Sequence, residues 1–301
     1  MKNNIKNKSS NNKTKDNNLS YNIAVNRPIS NIITFIILSI IACAFLLPII
    51  IVFMNSFKGM LYILDKPFAL PINEMFVGIK NYTYGLQQIG FFRAFGYSVL
   101  ITVLSVSTIV ILTSMTGWYL TRMKNKLGSI LYYIFTFSML VPFQMVMCSM
   151  VYITNRLHLD NPIGITVIYL GFGAGLSVFM FCGFVKSIPL EVEEAALIDG
   201  CNVPQMFFRI VLPMLKPTAI TVAILNAMWV WNDFLLPYLT LDTGKYKTIP
   251  IAIQYLQTGK GSLDWGAMMA MLVCSILPLI IFYITCQKHI IEGITTGAVK
   301  G

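Results

Sequence analysis

Charge is what this sequence has least of. Only 11% of its 301 residues are Asp, Glu, Lys or Arg, against 56% that are hydrophobic, which is too apolar for one soluble domain of that length. Histidine is nearly missing: the two copies, His158 and His289, are isolated, which argues against metallohydrolase or other His-based catalysis. The six cysteines, Cys43, Cys148, Cys182, Cys201, Cys274 and Cys286, are scattered without metal-ligand spacing, so they read as small buried hydrophobes rather than a metal or redox site. A phosphate-binding loop is also absent. It needs Gly, four residues, Gly-Lys and a hydroxyl residue, and neither Gly171-Phe-Gly173-Ala-Gly175 nor Gly259-Lys-Gly-Ser262 has that form. The chain therefore has no means of hydrolysing ATP, and no catalytic residue, metal or cofactor is expected in it.

What the sequence has instead is long apolar runs, roughly at 32–53, 93–118, 129–152, 163–185, 218–239 and 267–287. Each approaches the ~20 residues that cross a hydrocarbon layer. No alternating strand pattern points to a barrel, so the expected fold is all-α, a polytopic membrane protein with six transmembrane helices. The glycines of the fourth run predict close helix packing. With the amino terminus inside, fourteen Lys and Arg fall in inside segments and eight outside, a bias that places both termini in the cytoplasm. The net charge of +10 is then accounted for by loops and tails beside an anionic lipid leaflet, with no nucleic-acid partner. Residues 1–20 are rich in Asn and Lys with almost no apolar content, so residues 1–27 are expected to be a disordered cytoplasmic tail. The run beginning near Ile32 is too long and too far into the chain for a cleaved signal peptide. The longest outer connection, about 54–92, carries Pro67, Pro71 and Gly78 as breakers and is a candidate pore cap or contact for an external partner.

Between the fourth and fifth runs lies a polar segment, 187–217, that is not needed merely to join two spans. Pro189 can occupy a first helical turn, and Glu191, Glu193 and Glu194 complement the positive end of that helix. Ala195 and Ala196 give a low, strongly helical surface, and Gly200 has the backbone freedom to end the helix and reverse the chain. Phe207, Ile210, Val211 and Met214 then fall at i, i+3, i+4 and i+7, which predicts a second short helix laid against the membrane domain. Glu194-Ala-Ala, three residues, Gly200, nine residues, Ile210, one residue and Leu212-Pro213 fill every fixed position of a pattern that resembles the EAA loop of ABC importer permeases.

The similarity extends to Asn55-Ser-Phe-Lys58, Asn81-Tyr82, Arg122-Met-Lys124, Trp231-Asn-Asp-Phe-Leu-Leu-Pro237 and Ile291 through Gly301, which look like the smaller, maltose-type carbohydrate permease subunit. The resemblance implies that residues 28–301 form a six-helix permease domain in a prokaryotic plasma membrane. It also implies a homologous second permease, two cytosolic ABC ATPase subunits that bind ATP and Mg, and an extracellular sugar-binding protein. Glu194, Ala195, Ala196, Asp199, Gly200, Ile210, Leu212 and Pro213 are then the ATPase-coupling residues, and the carboxyl-terminal tail after Thr295 reaches between the ATPase subunits. Gln144, Asn226, Asn232 and Asp233 are candidates for a sugar path, because amide and carboxylate groups hydrogen-bond hydroxyls beside the aromatic faces of Trp229 and Trp231; interhelical hydrogen bonding explains the same residues equally simply. Other solutes (glycerol phosphate, polyamine, peptide) remain alternatives, as does an ion-coupled secondary transporter, although Asp233 is the sole acid within a span. A purely structural membrane protein would have no use for the ATPase-docking knob.

Overall fold

The computed structural model describes residues 28–123, 125–256 and 263–298. The expected tail, 1–27, lies outside them. The regular elements among the described residues are all helices, and an isolated β-bridge joins Lys58 and Phe76. Four helices are long and apolar enough to cross a membrane, or six if each of two bent pairs counts as one span.

Helix α1 (Pro28–Asn55) is apolar all round and leans on the rest of the molecule along one side only, so Phe35, Phe45 and Phe53 stand 71%, 77% and 52% exposed. Such a surface is soluble only in lipid or against another subunit. The chain then folds a small cap from α2 (Met60–Asp65), one 3-10 turn (Asn73–Met75) and α3 (Lys80–Gln88). Proline at 67 and 71 and left-handed Gly78 keep these pieces short. The cap is tied by polar groups. Asn81 Nδ2 donates to the carbonyls of Ser56 (2.9 Å) and Lys58 (2.8 Å), and the fully buried Lys58 donates from Nζ to those of Lys66 (2.9 Å) and Pro67 (3.3 Å). Burial lowers the Lys58 pKa.

Helix α4 (Phe91–Arg122) and α7 (Gly164–Val185) form the most extensive helix pair. The buried positions of α4 recur every three or four residues and are often small: Ala94, Ser98, Ser105, Thr113, Ser114 and Gly117. Small residues let helix backbones approach closely, and two glycines show why they are needed. A Cβ on Gly117 would lie 2.6 Å from Phe181 Cβ, and one on Gly173 would lie 2.8 Å from both Ile109 Cδ1 and Asn226 Oδ1. Close packing, expected for the glycines of the fourth run, is what the structure shows at Gly173 and Gly175. Gly117→Val should therefore lower the unfolding midpoint in detergent, by about 1–3 kcal/mol of overpacking strain. Gly183→Ala, which meets open space, should leave the midpoint unchanged or raise it slightly.

The third apolar run is not one straight helix. α5 (Lys126–Ser138) and α6 (Phe143–Arg156) meet at 103°, because Pro142 cannot donate into a continuing helix and disfavours helical backbone at Val141. The fifth run also ends early: α10 (Lys216–Asn232) stops at an extended Asp233, and α11 (Leu235–Thr240) follows separately. The cysteines divide as well. Only Cys182 is buried, whereas Cys43 and Cys148 lie exposed on the apolar surface. Helix α12 (Ile249–Gln254) precedes α13 (Trp265–Ala298), which stays helical past Gly293 and Gly297.

Candidate functional site

The segment between α7 and α10 builds a knob supported at both ends. α8 (Leu190–Ile198) begins immediately after Pro189, which caps it in an extended conformation rather than sitting within its first turn. Glu191 and Glu193 occupy that turn. At the other end Gly200 adopts φ +82°, and the amides of Gly200 and Cys201 donate to the carbonyls of Leu197 (3.1 Å) and Ala196 (3.0 Å). This crossed pair satisfies the orphan carbonyls of a helix end and requires the left-handed residue that glycine supplies. A capping box starts α9 (Val203–Met214): Asn202 Oδ1 accepts from Gln205 N–H (2.9 Å), and Gln205 Oε1 accepts from Asn202 N–H (3.1 Å).

Within α9 the stretch Phe207–Val211 is a π-helix. That wider turn shifts the buried register: Met206, Phe207, Val211 and Leu215 face inward at 5%, 1%, 0% and 0% exposure, while Met214, expected on the inner face, is 37% exposed. Ile210 and Leu212 are half-buried and Pro213 is exposed. Phe207 packs on Trp118 of α4 with ring centroids 5.6 Å apart.

The acidic residue that anchors the knob is Glu193, not the motif's Glu194. Glu193 is 5% exposed. Arg122 Nε (2.9 Å) and Nη2 (2.6 Å) both donate to its Oε1, and Trp118 Nε1 (3.1 Å) donates to its Oε2. Arg122 Nη2 also reaches the carbonyl of Ile188 (3.0 Å). The two donors sit one turn apart at the end of α4, so one carboxylate fixes the tilt of α8 against that helix. Nothing in the sequence pairs Arg122 with Glu193, which lie 71 residues apart and meet only when the chain folds α8 back onto the end of α4. Glu194, Ala195 and Asp199 point outward, as do Leu197 (54% exposed) and Ile198 (86% exposed), while Ala196 is buried against the core. An apolar tip inside a polar loop, held rigidly from behind, is the shape of a docking element.

The four residues singled out for a solute path are not gathered in one place. Asn226 is buried and donates to Ser177 Oγ (3.2 Å) and to the carbonyl of Val222 (2.9 Å), a bridge between α10 and α7. Asp233 accepts from Tyr169 OH (3.1 Å) and from the amide of Leu236 (3.3 Å), joining α7 to the start of α11. Asn232 is exposed and bonds the carbonyl of Met228 (2.7 Å), and Gln144 is exposed in the first turn of α6. An apolar groove of about 350 Å³ between α4, α10 and α13 is lined by none of these four; Thr102, Ser107 and Trp231 are its polar-bearing walls.

Fold and site together define an all-helical chain with membrane-length apolar helices and a firmly anchored knob that exposes apolar residues. Residues 109–296 match the family described as the binding-protein-dependent transport system inner membrane component. The chain is 40% identical over 253 residues to the probable starch degradation products transport system permease protein AmyC of Thermoanaerobacterium thermosulfurigenes, covering 84% of this chain and 91% of that one. It is 33% identical over 270 residues to the multiple sugar-binding transport system permease protein MsmG of Streptococcus mutans, covering 88% and 96% respectively. Among solved structures, its fold is similar to a chain of a bacterial ABC transporter involved in import of the acidic polysaccharide alginate, with a TM-score of 0.73, 22% identity, and coverage of 86% of this chain and 96% of that one. The chain thus belongs to the family of binding-protein-dependent inner membrane components, and it is a non-catalytic permease subunit of an ABC transport system.

Proposed function

We propose that this chain forms half of the membrane path of an ATP-driven importer for a sugar or oligosaccharide delivered by an external binding protein. The substrate class rests on the relatives, whose names include starch degradation products, multiple sugars and arabinooligosaccharides. In this reading the bent pair α5–α6 is one span and α10 is another, with α9 left in the cytoplasmic loop; together with α1, α4, α7 and α13 that gives six, and both termini are cytoplasmic in keeping with the distribution of Lys and Arg. A homologous permease completes the path, and two cytosolic ATPase subunits bind ATP with Mg. The observation that carries the reading is α8: its inner side is locked by Glu193 to α4, while Glu194, Ala195, Leu197 and Ile198 are left exposed for a partner. Closure of the ATPase pair would push this crest and tilt the helices behind it.

The purified chain alone should hydrolyse no ATP, and hydrolysis should appear when the second permease and the ATPases are added. Phosphate release by the isolated subunit would refute the assignment. Uptake of labelled malto-oligosaccharides and arabino-oligosaccharides by liposomes carrying the complete assembly tests the substrate class. Transport of glycerol phosphate, polyamine or peptide instead, with no sugar uptake, would overturn it.

A further inference from the structure

Helix α4 is the longest unbroken element outside α13, with 32 residues and no proline. At 1.5 Å per residue it is about 48 Å long, against about 30 Å of hydrocarbon, so both ends project from the membrane. Each end is hydrogen-bonded to a segment distant in sequence. At the inner end Trp118 and Arg122 hold Glu193 of α8. At the outer end Arg93 Nη2 donates to the carbonyl of Lys245 (3.3 Å), the rings of Tyr97 and Tyr246 meet edge to face at 5.3 Å, and Ser98 Oγ accepts the amide of Ile249 (2.9 Å).

The Ser98 contact is unusual in kind. Ile249 is the first residue of α12, and the N-cap position of that helix, Thr248, makes no side-chain capping bond. The cap comes from α4 instead, through a serine only 1% exposed. Phe91 and Ala94 of α4 also share a buried cluster with Ile249, Ala252, Ile253 and Leu256. The outer segment 241–256 is therefore mounted on one end of α4 as firmly as α8 is mounted on the other. A straight helix carries displacement along its length, and bonds at both ends leave little slack to absorb it.

From these two mounts, and resting on the importer reading above, we infer that α4 is a transmission rod: movement of α8 by the ATPase pair is delivered through α4 to the outer segment 241–256. Because such coupling is reciprocal, engagement of that outer segment is felt at α8. Arg122 and Ser98 are the positioning residues at the two ends. The connection between α6 and α7 also touches the segment, through a bond from the amide of Asp242 to the carbonyl of Asp160 (2.9 Å), and that route is left whole when Arg122 is changed.

The test is hydrogen–deuterium exchange on the complete assembly, resting and trapped with ATP and vanadate. In the unmodified complex, trapping should change exchange in 241–256 by about fivefold or more, the lower end of usual coupling between sites. Arg122→Gln should abolish that response with the ATPases still bound, and the exchanged pair Arg122→Glu with Glu193→Arg should restore it. Ser98→Ala should leave ATPase binding and the exchange of α8 unchanged yet reduce the outer response. This second variant decides the matter if Arg122→Gln fails to assemble. A segment 241–256 that does not respond in the unmodified complex, or that responds equally in Arg122→Gln or Ser98→Ala, overturns the rod. Failure of the unmodified chain to bind ATPases at all would instead refute the importer reading on which it rests.

Discussion

Gly200→Val should abolish solute uptake while leaving the chain inserted in the membrane, and Gly200→Asn should keep most of it. Gly200 sits at φ +82° with no atom within 4 Å of a Cβ placed there, so the whole penalty comes from the backbone and none from crowding. A β-branched residue in that conformation costs about 1–3 kcal/mol. The chain avoids this strain most easily by opening the turn, which breaks the amide bonds of Gly200 and Cys201 to Leu197 and Ala196. α8 then loses its defined end, and Ile198 no longer meets its partner at a fixed angle. Asparagine tolerates the left-handed region, so it separates the conformational requirement from a need for glycine as such. Uptake in liposomes, with membrane insertion checked by protease protection, reads both variants. Full uptake with Gly200→Val would remove the turn from the mechanism.

Glu193→Lys and Glu194→Lys should fail in different ways although they are neighbours. Glu193 is 6% exposed at its side chain and ion-paired with Arg122, itself 24% exposed. Replacing it by Lys sets two cations against each other in a site shaped for a pair. Breaking a buried pair costs about 3–5 kcal/mol, and the access of Arg122 to water puts the expected cost near 3. α8 should come away from α4, seen as a fall in unfolding midpoint and as new protease cuts near 187–202. Glu194 touches none of this network, so Glu194→Lys should leave the midpoint unchanged and weaken ATPase co-purification only, by reversing charge on the exposed crest and near a helix amino end. Equal loss of stability in both variants would contradict the assignment of Glu193 as the anchor.

Much of the architecture was legible because lipid imposes simple rules. Apolar runs of membrane length located the long helices, and the Glu-Ala-Ala to Leu-Pro spacing located the knob, with Gly200 at its turn. The gaps have physical causes. A run such as 129–152 reads as one span by composition, yet one proline, Pro142, divides it at 103°, and hydropathy is blind to that. A helical wheel assumes 3.6 residues per turn, so the π-turn at Phe207–Val211 moved the inward position from Met214 to Leu215. Glu193 was read as a dipole complement because its partner lies 71 residues earlier, a distance bridged only by tertiary packing. Asn226 and Asp233 were open between solute path and helix bridge, and their bonds to Ser177 and Tyr169 are of the bridging kind.

The central claim is that the crest of α8 is where an ABC ATPase docks. Its most direct test is a photo-crosslinking amino acid placed at Ile198, the more exposed of the two large apolar residues at the tip of the crest at 86%, with the same probe at Phe35 on α1 as a control of similar exposure, 71%. The chain is co-expressed and purified with the second permease and the ATPase subunit. Irradiation should join Ile198 to the ATPase, with a yield that changes when ATP and vanadate trap the complex, and should leave the Phe35 probe unlinked to it. An ATPase that assembles with the complex yet is never captured from Ile198, or is captured equally from Phe35, would contradict the account.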